Sequence, residues 1–229
     1  MADDRPTPGD RSTRPTSSGG REEFAATLRR LNMLSVTAVA TPGEFAAAAA
    51  ALGEVADRLE VPGDGTDGTP QARFRELAPD GEAPPSLAAA MPFDMIVGPC
   101  NPVAPPIEIW FDPPLARAKA TFTPTYEGAP GCVHGAAIAA SFDMVLTAAN
   151  VLADRAGPTV ELTIRYRRPT RIGVVSDFEA SVTEVTERRT HSEGRLLQDG
   201  LVVVEAFGEF VNNMDRDRIH ALHRRHLEK

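Results

Sequence analysis

The chain has 229 residues, of which 42% are hydrophobic and 24% charged, so it is long enough for one ordinary domain with extensions or for two very small domains. Its net charge of −8 argues against non-specific binding to nucleic acid or to an anionic membrane, because both require a positive protein surface. The two cysteines, Cys100 and Cys132, form no CxxC pair, which disfavours a disulfide framework or a structural zinc site and indicates a reducing, cytoplasmic compartment.

Residues 1–20 are rich in Pro, Gly, Ser, Thr, Asp and Arg and are predicted to be a disordered tail. This tail has no apolar core of the kind found in a secretory signal. Nowhere does the chain approach the roughly 18 uninterrupted apolar residues of a transmembrane helix, so we expect no membrane insertion.

Residues 21–95 are predicted to form a helical extension followed by a linker. Apolar residues at helical spacing predict a first helix over Glu22–Leu34. Residues 62–86 are rich in Gly, Pro, Asp and Thr, which is typical of a linker or mobile loop, with a short helix at Arg73–Leu77 as an option.

A second helix in this extension has clearer boundary signals. Thr41 is a suitable N-cap, Pro42 suits the first turn, and Glu44 is placed to complete a capping box. The helix should continue through an alanine run to about Leu59, where the alanines indicate high helix propensity and close packing.

The next region combines short strands with one long helix. We predict an edge strand at Ile107–Phe111, where prolines precede the apolar run, and another strand at Ala118–Thr123. The glycine-rich Tyr126–Val133 is predicted to be a loop. A helix over Ala136–Arg155 should follow, and it should stop at Gly157-Pro158.

Three strand-like runs come after this helix, at Val160–Tyr166, Val174–Glu187 and Leu201–Val211, and Asp199-Gly200 is a hairpin signal before the last. One long helix must bury its apolar stripe, and an antiparallel sheet wrapped around it is the simple solution. The sequence therefore predicts an α+β fold with a central helix, and residues 214–229 form a charged tail.

The two sides of the predicted central helix differ in character. The apolar stripe expected to pack on the sheet consists of Ile138, Phe142, Val145, Ala149 and Leu152. The opposite side is lined by small residues, and it also carries Asp143 and Asn150. Aspartate has poor propensity for the middle of a helix. Solvent exposure alone would explain Asp143, whereas the loop before the helix favours a functional role.

That loop, Gly131–Ala136, runs directly into the helix. Free amides at a helix N-terminus carry the positive end of the helix dipole, and they suit an anion or a developing oxyanion. Gly135 would let a ligand carbonyl approach the backbone. A lone histidine is more often structural, but a glycine-rich turn, His134-Gly135, a helix start and an aspartate nine residues after the histidine form a more specific pattern.

The segment Tyr126–Ala136, YEGAPGCVHGA, resembles the YEGxPGxVHGG segment of hotdog-fold thioesterases of the PaaI-like group. Within that group it is similar to the long-chain branch, which includes mammalian thioesterase superfamily members with an N-terminal extension. Tyr166–Pro169 is similar to the family's Y-x-R-P strand end. The resemblance extends over roughly residues 100–213, and it implies a hotdog thioesterase domain at 96–213.

The resemblance also implies hydrolysis of acyl-CoA with no metal or other cofactor. The Gly135 amide would polarise the thioester carbonyl, and His134 would orient the loop or the carbonyl. Asp143 lies where the family has its catalytic acid and Thr159 where it has a hydroxyl residue. This pair would activate water, or Asp143 would attack as a nucleophile. In such enzymes the two sets of residues come from opposite subunits, so the resemblance implies a homodimer or a dimer of dimers.

Two positions depart from the family pattern. Ala136 replaces the second glycine, which keeps the amide but adds a methyl group that narrows the pocket. Gly128 stands where some PaaI-type enzymes have an asparagine, so that polar contact is missing or supplied elsewhere. Ala136, Asn150 and Arg168 are predicted to contact the substrate.

Four arginines cluster at a strand end and turn: Arg165, Arg167, Arg168 and Arg171. They would either bind coenzyme A phosphates through bidentate contacts or form a solvated strand end, and the resemblance favours Arg168 for the first role.

Two other functions stay open. A hotdog hydratase would need an aspartate–histidine pair at a different spacing and a hydratase-type loop, which the sequence lacks. A non-catalytic acyl-CoA or lipid-binding module is compatible with Ala136 and Gly128, and ligand binding without turnover would support it.

Overall fold

A computed structural model of the chain describes residues 19–60, 86–153, 155 and 157–212. Four predictions fall outside these ranges: the structure of residues 1–18, the linker at 62–86 except for its last residue, the helix at Arg73–Leu77 and the charged tail from 214. The described residues form three helices at the N-terminal side, followed by a six-stranded sheet and one long helix.

The N-terminal helices are α1 (Gly19–Thr37), α2 (Pro42–Leu59) and the single turn α3 (Leu87–Ala90). The first extends beyond its predicted range at both ends. The predicted capping box of α2 is confirmed, because the Thr41 hydroxyl accepts the Glu44 amide and the Glu44 carboxylate accepts the Thr41 amide at 2.8 Å.

Helix α1 is attached to the rest of the molecule through backbone carbonyls. The Arg29 guanidinium donates to the carbonyls of Pro99 and Asn101 at 3.2 and 2.9 Å. The Asn32 amide donates to the Pro102 carbonyl at 3.3 Å. The extension therefore rests on the segment that leads into the first strand.

The six strands are antiparallel, in the order β1-β2-β4-β5-β6-β3. Their bounds are β1 Ile107–Asp112, β2 Leu115–Thr121, β3 Thr159–Tyr166, β4 Val175–Val185, β5 Arg189–Gln198 and β6 Leu201–Val211. The predicted edge position of β1 is confirmed. Strand β3 forms the other edge, where it pairs with β6 rather than with its sequence neighbour β4.

The sequence prediction was wrong about one strand, because four strands follow the long helix and not three. Strand β5 was missed since its inward residues include Thr190, Ser192 and Gly194, which lack the apolar character of a core strand. Glycine at 194 leaves room for the Phe142 ring, because an added Cβ would lie only 3.1 Å from it. The predicted hairpin after β5 is confirmed, and both Asp199 and Gly200 have positive φ.

Helix α4, Gly135–Leu152, lies in the concave face of the sheet. The predicted stripe is confirmed, with Ile138, Phe142 and Val145 at most 1% exposed. The Phe142 and Phe178 rings meet edge to face at 5.1 Å between centroids. By length and hydropathy alone this helix could span a membrane, but half of it is buried within the protein, as expected of a core helix.

Candidate active site

The first turn of α4 presents its amides at the protein surface. His134 is the N-cap, and its Nδ1 accepts the Ala136 amide at 3.0 Å. The amides of Ala137 and Ile138 donate to the His134 carbonyl at 3.0 and 3.3 Å. Among the described residues, nothing accepts the Gly135 amide, so it is the one amide of this turn that is open to a ligand.

The loop before the helix is held by short-range hydrogen bonds. The His134 amide donates to the Tyr126 carbonyl at 2.8 Å, and the Gly128 amide donates to the Cys132 carbonyl at 2.9 Å. A Cβ at position 128 would lie 2.9 Å from the His134 Cα. Glycine at 128 is therefore required by the packing of His134. The asparagine that some PaaI-type enzymes have at this position would not fit in this loop conformation.

Tyr166, the last residue of β3, lies directly on the helix start. Its hydroxyl donates to the Gly135 carbonyl at 2.8 Å. A Cβ at position 135 would lie 2.9 Å from the Tyr166 Oη, so glycine is needed for this close approach. Burial raises the pKa of Tyr166, which keeps the hydroxyl protonated and able to donate. The contact between Tyr166 and Gly135 was not predicted from the sequence, since no local pattern shows which strand end lies beside a helix start.

A cavity of about 710 Å³ opens in front of the helix start. Its lining includes Glu127, Gly128, His134, Gly135, Tyr166 and Arg168. Ala136 is exposed and is not part of this lining, and its amide donates to the His134 Nδ1, so its predicted contact with the substrate stays a prediction.

The predicted arginine cluster separates into two kinds of residue. Three of the four are held by neighbouring side chains: Arg165 stacks on Phe207, Arg167 pairs with Glu205, and Arg171 pairs with Asp199. Arg168 donates to the Val202 carbonyl at 2.9 Å, and no carboxylate of the described chain pairs with it. Its positive charge therefore stays available at the cavity wall.

A second group of predicted residues lies further along the helix. The Thr159 hydroxyl, at the start of β3, donates to the Asp143 carboxylate at 2.6 Å. The Asp143 side chain is half-buried, and one of its oxygens is thus oriented by a neighbour that itself carries no charge. The structure brings these two residues together although they are sixteen positions apart.

The two groups are separated within one chain. Asp143 lies eight residues after Gly135, which corresponds to about 12 Å along the helix axis. Gly135 and Asp143 thus lie about two turns apart on α4. They form two separate groups in one chain, the Gly135 half-site and the Asp143 half-site.

Asn150 lies on the same side of the helix as Asp143, but its predicted contact with the substrate does not fit its burial. The Asn150 side chain is 0% exposed, because strand β5 covers the second half of α4 on this side. Its Oδ1 accepts the Ser192 hydroxyl at 2.5 Å, while Nδ2 and the Thr190 hydroxyl have no hydrogen-bond partner. Asn150 is thus a core residue that packs α4 on the sheet.

We predict that Asn150→Ala lowers the free energy of unfolding by about 1–3 kcal/mol, since it leaves the buried Ser192 hydroxyl without its acceptor. Urea unfolding would measure the loss. The KM for any thioester substrate should stay at the wild-type value. A raised KM with an unchanged free energy of unfolding would show that Asn150 contacts the substrate.

A curved antiparallel sheet around a central helix is the arrangement of the hotdog fold. Residues 130–205 match the family model described as "Thioesterase superfamily". A comparison with curated proteins found no match.

Several solved structures resemble the chain. The thioesterase superfamily protein RHA08564 is 26% identical with a TM-score of 0.67, covering 83% of this chain and 94% of its own. The E. coli PaaI protein is 18% identical with a TM-score of 0.44, covering 47% and 79%. A hypothetical thioesterase from Streptococcus pneumoniae TIGR4, solved with coenzyme A, is 16% identical with a TM-score of 0.43, covering 46% and 87%. The match over residues 130–205 and the similarity to RHA08564 agree with the family that the segment Tyr126–Ala136 suggested.

Proposed function

We propose that this protein is an acyl-CoA thioesterase that hydrolyses its substrate by direct attack of water. The observation that carries the proposal is the pairing of two features on one helix of a thioesterase superfamily domain. The helix begins at Gly135 with an amide that has no partner among the described residues, and its middle bears Asp143, which accepts a hydrogen bond from Thr159. The first feature suits an oxyanion, and the second suits activation of water.

The proposed reaction uses these groups in turn. The thioester carbonyl oxygen accepts the Gly135 amide, and negative charge develops there as water attacks the carbonyl carbon. The Asp143 carboxylate takes a proton from that water. The carbon–sulfur bond then breaks, the proton passes to the leaving sulfur, and the products are a carboxylic acid and a free thiol.

The cavity in front of the helix start suits the coenzyme A portion of the substrate. Its volume of about 710 Å³ is within the range of small-molecule sites. Arg168 contributes a cation without a carboxylate partner in the described chain, and a guanidinium matches a phosphate through paired hydrogen bonds. We propose that Arg168 binds a phosphate of coenzyme A.

We further propose that each active site combines two chains. The Gly135 half-site and the Asp143 half-site are about 12 Å apart along one helix, so a second copy must supply the missing half. A two-fold axis between two helices would generate two equivalent sites, each with Gly135 from one chain and Asp143 from the other.

This arrangement predicts complementation between two inactive variants. Asp143→Asn removes the carboxylate and Gly135→Pro removes the amide, so each pure variant should be inactive. A mixed dimer would contain one site with both groups intact, and it should recover about half of the wild-type rate per dimer. Two affinity tags would isolate the mixed species. If every site were built from one chain, the mixed dimer would be as inactive as its parents.

The class of reaction is tested by a panel of short, medium, long and aromatic acyl-CoAs. We expect the wild-type protein to hydrolyse at least one of them with saturation kinetics. Tight binding of an acyl-CoA without hydrolysis of any panel member would replace this proposal with the non-catalytic binding module.

A further inference from the structure

The peptide unit that joins Gly135 to Ala136 is held at both of its polar atoms. Its carbonyl oxygen accepts the Tyr166 hydroxyl at 2.8 Å, and its amide donates to the His134 Nδ1 at 3.0 Å. The neighbouring peptide unit, His134 to Gly135, bears the amide proposed to bind the oxyanion. The orientation of that amide is thus set by the backbone bonds that the His134 carbonyl accepts and, through the adjoining peptide unit, by the side chains of His134 and Tyr166.

The Tyr166 ring is in contact with Gly135 as well as its hydroxyl. A Cβ at position 135 would lie 3.2 Å from Cζ and 2.9 Å from Oη of the tyrosine. Yet Tyr166 is 53% exposed and lines the cavity, so its side chain contributes little to the core. Because Tyr166 is partly exposed, it should add little to the stability of the fold. Its close contact with Gly135 should instead fix the position of the first peptide of α4.

Strand β3 contributes the Tyr166 contact and also a contact with the Asp143 half-site. Its first residue, Thr159, holds the Asp143 carboxylate, and its last residue, Tyr166, holds the Gly135 carbonyl. The strand is at the sheet edge and is paired on one side only, with β6, within the described chain. The same strand therefore positions a residue of each half-site.

We propose that Tyr166 is a positioning residue, which fixes the first peptide of α4 so that the Gly135 amide points at the thioester oxygen. The proposal rests on the function proposed above. Tyr166 itself touches neither the reacting carbonyl nor the water. Its hydroxyl should therefore affect the transition state, where the oxyanion forms, more than the binding of the substrate.

The test compares the two tyrosines of the chain. Tyr166→Phe removes only the hydroxyl that holds Gly135. Tyr126→Phe is the matched control, since the Tyr126 hydroxyl also donates to a backbone carbonyl, that of Val103 at 3.1 Å, in the segment before β1. The Tyr126 carbonyl that accepts the His134 amide is kept in this variant. We expect Tyr166→Phe to lower kcat about tenfold at an unchanged KM and an unchanged Tm. Tyr126→Phe should keep the wild-type kcat.

Amide hydrogen exchange provides a second measurement that needs no turnover. In Tyr166→Phe the Ala136 amide should exchange about tenfold faster than in wild type, because one of the two restraints on its peptide is lost. An unchanged kcat, or an equal fall of kcat in both variants, overturns the proposal. A wild-type protein without turnover would reject the hydrolase function, and the exchange rate at Ala136 would then decide the role of Tyr166 alone.

Discussion

Asp143→Asn should lower kcat by about 10²–10⁴-fold, the range expected when a positioned general base is removed. Asparagine has the same shape, and its Oδ1 can still accept the Thr159 hydroxyl, so the local structure is kept. What is lost is the charge and the ability to take a proton from water. The side chain is only half-buried, so the melting temperature should stay close to that of wild type.

The rates are best followed by the loss of thioester absorbance, since Cys100 and Cys132 would react with thiol reagents. Asp177→Asn is the matched control, because Asp177 is an exposed carboxylate on the sheet that pairs with Lys119 at 3.5 Å. It should retain the wild-type rate. If Asp143→Asn kept more than a small fraction of the wild-type kcat, Asp143 would not be the general base.

The second large effect is expected at the helix start. Gly135→Pro removes the amide hydrogen itself and should lower kcat by about 10²–10³-fold, as removal of one oxyanion donor does. Proline is favoured at the first position of a helix. His134, with φ −62° and ψ 133°, already has the extended conformation that a following proline requires. The helix should therefore start at the same residue.

Gly135→Ala is the matched control for this change. Both variants add a Cβ that displaces the Tyr166 hydroxyl, but alanine keeps the amide hydrogen. The ratio of the two rates thus isolates the contribution of the hydrogen bond to the oxyanion. Equal rates for proline and alanine would show that the Gly135 amide does not bind the developing charge. Circular dichroism would verify that the helix content is the same in both.

The features that the sequence predicted well depend on local chemistry. The α2 capping box involves residues three apart, the α4 stripe follows helical periodicity, and the hairpin at Asp199-Gly200 follows from turn preferences. The hotdog fold followed from a motif that combines a glycine-rich loop with a helix start. Each of these signals lies within one stretch of chain.

The features that were missed depend on contacts between distant segments. Strand β5 lacks an apolar pattern partly because its inward position 194 is a glycine, which leaves room for the Phe142 ring. Hydrophobic periodicity cannot show that residues 142 and 194 are in contact. The burial of Asn150 was missed because it depends on the contact with Ser192 of β5. The contact of Tyr166 with Gly135 depends on β3 lying at the sheet edge beside α4, which no local pattern determines.

The N-cap of α4 has a consequence for the proton chemistry of the site. A neutral imidazole has one lone pair on nitrogen and one N–H group. Because the His134 Nδ1 accepts the Ala136 amide, its lone pair is occupied and the hydrogen must be on Nε2. In this tautomer His134 can donate a hydrogen bond to a carbonyl oxygen but cannot remove a proton from water. In the proposed reaction, the hydrogen bond at the N-cap therefore limits His134 to the role of donor and leaves proton removal to Asp143.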